Sequence, residues 1–77
     1  MNLFQYNTMR LTSSPEDAGA NTKQAWDALF DVYGNEAFHP IEGRGVLMTV
    51  FASRNVRRSE AIALMQRMID KGYAIAP

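Results

Sequence analysis

Residues 44–51 read RGVLMTVF, and what they become decides the topology of the whole chain. As a strand, 45–52 has the right length and a Val/Thr/Phe-rich composition suited to a pleated, half-buried surface. The preceding EGRG (residues 42–45) then supplies a turn, and EAFHPI (residues 36–41) a hairpin partner with Pro40 confined to an edge or an end. As a helix, the segment starts at His39-Pro40, with proline in the one helical position that tolerates it, and buries Leu47, Val50 and Phe51. Gly43 and Gly45 count against that reading, each costing about 1 kcal/mol in a helix interior relative to alanine. The balance predicts a strand, with the helix as the alternative.

The flanks are easier to read. Trp26, Leu29, Phe30 and Tyr33 recur at helical spacing, Lys23, Asp27 and Asp31 take the opposite face, and Gly34 stands where a helix stops. Ser14-Pro15-Glu16-Asp17 has the chemistry of a helix start: a capping hydroxyl, a proline and carboxylates facing the positive end of the dipole. Gly19 and Asn21 can break that first turn from the main helix. A second helix is predicted over 57–71, with Ala61, Leu64, Met65 and Met68 inward, Ile62 and Ile69 widening the stripe, and Glu60, Gln66, Arg67 and Asp70 outward. Gly72 ends it. NLFQYNTMRL (residues 2–11) and YAIAP (residues 73–77) read as first and last strands.

These elements give one α+β domain over 1–77, in the order β-α-β-β-α-β: a ferredoxin-like sandwich with both helices on one face of a four-stranded antiparallel sheet. If the middle stretch is helical, the chain is instead mostly α and winged-helix-like.

In the first arrangement the chain resembles the RNA-recognition motif family. The likeness rests on Arg44, Gly45 and Phe51 of the third-strand octapeptide, on Leu3, Phe4 and Asn7 of the first-strand hexapeptide LFQYNT, and on LFDVYG (residues 29–34) closing the first helix. The resemblance implies single-stranded RNA on the sheet. Yet the octapeptide positions that stack bases in that family are Val46 and Met48 here, and base stacking is worth about 1–3 kcal/mol per base. In the second arrangement RNVRRSEAIALMQRMIDKGYAI (residues 54–75) resembles the last helix and first wing strand of winged-helix and DEP domains. That resemblance implies Arg54, Arg57 and Arg58 facing duplex DNA from a helix N-terminus.

Composition narrows the function. There is no cysteine and one histidine, which argues against disulfides and a structural zinc site. No run reaches the roughly 18 apolar residues of a membrane span, and the first residues lack a signal peptide's pattern, so the expected setting is cytoplasmic. No phosphate-binding glycine motif occurs, and His39 has no nucleophile placed beside it. Asp27 and Asp31 lie one helical turn apart, but Lys23 is placed to pair with Asp27. The chain therefore reads as a non-enzymatic module without cofactor or metal.

Charge is segregated. Residues 1–42 hold two basic side chains against six acidic ones, and residues 43–77 hold six against two. The expected contact surface is the open sheet face, with Phe4, Tyr6, Val46 and Met48 on it and Arg44, Arg54, Arg57 and Arg58 at its rim. It suits a protein partner or a second copy, as in a small regulator or inhibitor of the kind phages and mobile elements encode. Nucleic acid is the alternative partner.

Overall fold

The computed structural model describes residues 8–16 and 19–76. Three helices, α1 (Ala20–Tyr33), α2 (Pro40–Val50) and α3 (Arg58–Asp70), pack against one another. Two short strands, β1 (Arg10–Leu11) and β2 (Ala74–Ile75), pair antiparallel, Arg10 opposite Ile75 and Leu11 opposite Ala74. This overturns the ferredoxin-like sandwich: among the described residues there is a two-stranded sheet and no four-stranded one. The mostly helical alternative is the one that fits.

The middle stretch is helical because its apolar residues sort at helical spacing once neighbours are present. Gly43, Leu47 and Phe51 recur every four residues and are buried, whereas Thr49, which a strand would align with Leu47 and Phe51, is exposed. Gly43 also reverses its expected sign. A Cβ there would lie 2.8 Å from Phe38 Cε2 and 2.9 Å from Met65 Sδ, so the missing side chain is what lets α2 approach α3 and the Phe38 ring. Close packing offsets the glycine's propensity cost. His39 caps the helix, its Nδ1 accepting the Ile41 N–H at 3.1 Å, and Pro40 takes the first position. Val50, expected inside, is 39 % exposed.

The hairpin partner expected at 36–41 is reduced to one residue. Phe38 forms an isolated antiparallel bridge with Met9, N–H to O both ways at 2.8 and 2.9 Å. Of the first strand, Met9 to Leu11 are extended and paired; Phe4 and Tyr6 lie outside the described residues. The last strand forms as expected at Ala74–Ile75.

α1 begins later than the Ser-Pro-Glu signature implies. Gly19 is its N-cap, with no side-chain cap. Pro15 is buried instead, and Ser14 Oγ accepts from Lys23 Nζ at 3.4 Å. Gly34 ends α1 with φ 58°, a conformation only glycine adopts at little cost. Gly72, φ 81°, ends the turn after α3 in the same way.

The core joins Met9, Leu11, Trp26, Leu29, Phe38, Leu47, Phe51, Met65 and Met68 with three small alanines. Trp26 stitches α1 to the segment before β2: its Nε1–H donates to the Tyr73 carbonyl at 3.0 Å, while its ring stacks on half-exposed Phe30 at 5.0 Å. Trp26→Phe removes the donor and leaves a smaller ring in a buried site. The expected cost is about 1–3 kcal/mol for the lost hydrogen bond, with a further loss from the space the indole vacates, read as a lower urea midpoint with unchanged slope.

Candidate functional site

The segment joining α2 to α3 carries most of the basic side chains singled out in the sequence. Phe51 closes α2, its N–H bonded to the Leu47 carbonyl at 2.9 Å. Ala52–Arg54 make one 3-10 turn, and Asn55 follows in the left-handed region with φ 53°. Asparagine tolerates that conformation better than most residues. Val56 turns back toward the core, and Arg57, extended, becomes the N-cap of α3.

Arg54 is pinned. Its Nη1 donates to Asn21 Oδ1 at 2.6 Å, and its guanidinium sits 5.4 Å over the buried Phe51 ring. Such a cation over an aromatic face contributes about 0.5–1 kcal/mol at an exposed site. With one nitrogen committed to Asn21, the other edge of the fork is preset for a planar anion such as a carboxylate.

Arg57 and Arg58 are exposed, at the positive end of the α3 dipole, where added positive charge is unfavourable. Glu60 is the one acid in that first turn, and no side chain caps the helix. The guanidinium groups of Arg57, Arg58 and Arg67 have no hydrogen bond or ion pair with other described residues.

Beside the turn lies a groove of about 280 Å³ between the start of α1, the turn and the outer face of α3. Phe51, Val56, Ala63 and Leu64 form its apolar lining, and Asn21, Arg54, Glu60 and Arg67 its polar edge. Leu64, expected in the core stripe, is only half-buried because it faces this groove. Gln66, expected in solvent, is half-buried: its Nε2 donates to Asp70 Oδ1 at 3.0 Å, and its Oε1 is buried without a donor.

The other expected site residues are dispersed. Arg44 sits on the second turn of α2, half-buried and already engaged, whereas Arg54 lies beyond the end of that helix. Val46 and Met48 lie on α2 and pack half-buried against the core. Among the described residues there is no four-stranded sheet, so the open apolar face expected to hold them, rimmed by the four arginines, is not formed by these elements.

Asn21, Leu64 and Arg67 join the groove without having been singled out as site residues. The available signal was the unspent polar edge of α3, but Asn21 reaches the groove only through the tertiary fold. Asp27 is taken by Lys23 at 2.9 Å, and His39 by the α2 cap. Tyr33 is stacked on Phe38 at 4.2 Å; partial burial, with Glu42 nearby, pushes its phenol above the ordinary range. Among the described residues no three acidic or histidine side chains are grouped to hold a metal ion, and no helix is long and apolar enough to cross a membrane.

No family model matches the chain, and no curated protein or solved structure matches it either.

Proposed function

We propose that this chain is a non-enzymatic protein-binding module, a small regulator or inhibitor, that grips a partner through the groove beside the α2–α3 turn. The observation that carries the reading is the groove's composition. An apolar lining takes a partner's hydrophobic side chain, while Arg54, held by Asn21, and exposed Arg67 offer two guanidinium groups to acidic neighbours. An arginine already hydrogen-bonded to Asn21 and set over Phe51 has less entropy to lose on binding than an unrestrained one. A cytoplasmic setting belongs to the same proposal and suits a chain without cysteine.

A second reading, duplex nucleic acid, is favoured by Arg57 and Arg58 at the start of α3. Against it, Glu60 and Asp70 share the exposed face of α3 with Arg67, and the chain has zero net charge. Nucleic-acid-binding domains usually carry a basic surplus.

Selection of random peptides displayed on phage against the intact protein tests the first reading. The expected winners place Asp or Glu beside Leu, Phe or Trp and lose at least roughly tenfold in affinity on Arg54→Ala, the order of one charge-assisted hydrogen bond. Winners indifferent to Arg54→Ala and Ala63→Arg, or none at all, would overturn it. Duplex and single-stranded oligonucleotides at low and high salt form the second arm. Steeply salt-dependent duplex binding, lost on Arg57→Ala and Arg58→Ala, would transfer the assignment to nucleic acid.

A further inference from the structure

The two ends of α2 differ in the charge of their exposed neighbours. At the start of α2, the corner it makes with α1 exposes Val32 (58 %) and Ile41 (49 %), each next in sequence to an exposed acid, Asp31 and Glu42. Glu36 is exposed in the connection between the two helices. At the other end of α2, about 15 Å away at helical rise, lie the turn, the groove and Arg54, with Arg67 on its far edge.

The corner is therefore apolar with three exposed acids around it and one engaged arginine, Arg44, nearby, while the groove is apolar with Arg54 and Arg67 outnumbering Glu60 at its edge. The two surfaces are complementary in net charge.

Resting on the reading of the groove as a protein-binding site, we infer that its occupant is a second copy of this chain. The acidic corner of one copy, with Val32 and Ile41 at its centre and Asp31, Glu36 and Glu42 around them, docks in the groove of the next. The contact is heterologous, head to tail: the surface that inserts is not the surface that receives. Zero net charge removes the long-range repulsion that would hold copies apart, while the local fields attract end to end. A contact on this scale, with charged groups at an exposed rim, is weak and salt-sensitive. Each added copy leaves a free groove at one end and a free corner at the other, so the assembly extends unless it closes into a ring.

Sedimentation velocity of the full chain over a concentration series, at low and high salt, is the test. The wild-type mass is expected to rise with concentration at low salt and return to the monomer at about 1 M salt, where the Debye length falls to roughly 3 Å. Val32→Lys combined with Ile41→Lys blocks the corner, and Ala63→Arg fills the groove. All three positions are exposed on helix surfaces, and unchanged circular dichroism confirms that each variant folds.

Each variant alone is expected to be monomeric, and an equal mixture to form a 1:1 heterodimer, through the intact groove of the first and the intact corner of the second. A wild type monomeric throughout, a blocked variant that still self-associates, or a mixture that stays monomeric while the wild type associates would each overturn the inference. If copies do not associate but displayed peptides still bind the groove and respond to Ala63→Arg, the inference fails and the protein-binding reading stands. If neither binds, both fail.

Discussion

Phe51→Ala is expected to be the most damaging single substitution in the chain, lowering the melting temperature by at least about 12 °C. The ring is 2 % exposed, closes α2, supports the Arg54 guanidinium and lines the groove. Truncating a buried phenylalanine costs about 3–5 kcal/mol. A chain of 77 residues has roughly 4–12 kcal/mol to lose at typical stability per residue. One kcal/mol moves the midpoint by about 4–8 °C in a domain of this size. Thermal melts followed by circular dichroism measure the effect. Val50→Ala, one residue earlier and exposed, is the control and should stay within about 0.5 kcal/mol of wild type. Equal costs at the two positions would contradict the helical packing of this stretch.

The second large effect is a contrast between two glycines that the sequence presents as equivalent. Gly43→Val should destabilise by about 1–3 kcal/mol, the usual cost of forcing extra carbons into a packed site, because the Phe38 ring and Met65 already occupy the space. Gly45→Ala should stabilise by about 0.5–1 kcal/mol through helix propensity and a less flexible unfolded chain, since nothing lies within 4 Å of its new methyl. Urea melts of both variants check the opposite signs. A loss of stability at Gly45→Ala would show that α2 is not regular there.

That contrast explains why part of the fold was legible and part was not. α1 and α3 could be read because each carries its own evidence: a stripe at helical spacing and a glycine that stops it, Gly34 or Gly72. α2 could not, because Gly43 owes its place to Phe38 and to Met65, twenty-two residues further on, and propensity counts only the local cost. The Val/Thr-rich run tipped the local balance toward a strand, and tertiary packing tipped it back. The start of α1 follows the break expected at Gly19, which is its N-cap. Ser14-Pro15-Glu16 is a capping signal taken up in other ways, by a buried proline and a hydroxyl facing Lys23.

The candidate site divides along the same line. Arg54, Arg57 and Arg58 are a basic cluster by sequence spacing alone, and they fall in the 3-10 turn, the N-cap and the first residue of α3. The surface drawn around them depended on the sheet and went with it. Asn21, which holds Arg54, is thirty-three residues away in sequence, and no local pattern announces that bond.

The pairing of β1 with β2 has a kinetic meaning as well as an architectural one. It joins Arg10 to Ile75 across nearly the whole chain, and closing a loop of that length costs about 3–4 kcal/mol of entropy beyond the length-independent part. Four residues hold it, with Thr12 adding a hydroxyl bond to the Gly72 carbonyl at 2.8 Å. Helices form from neighbours within a microsecond or so, and this clasp has to wait for them to be in place. Met9, Leu11 and Ala74 tie it to the core, but its short hydrogen-bonded ladder sets it against the longer ones of the helices. The Thr12 amide, bonded to the Tyr73 carbonyl at 2.9 Å, should therefore exchange with solvent ahead of the amides in the middle of α3. Early exchange at Thr12 would mark the β1–β2 clasp as the first part of the described fold to open.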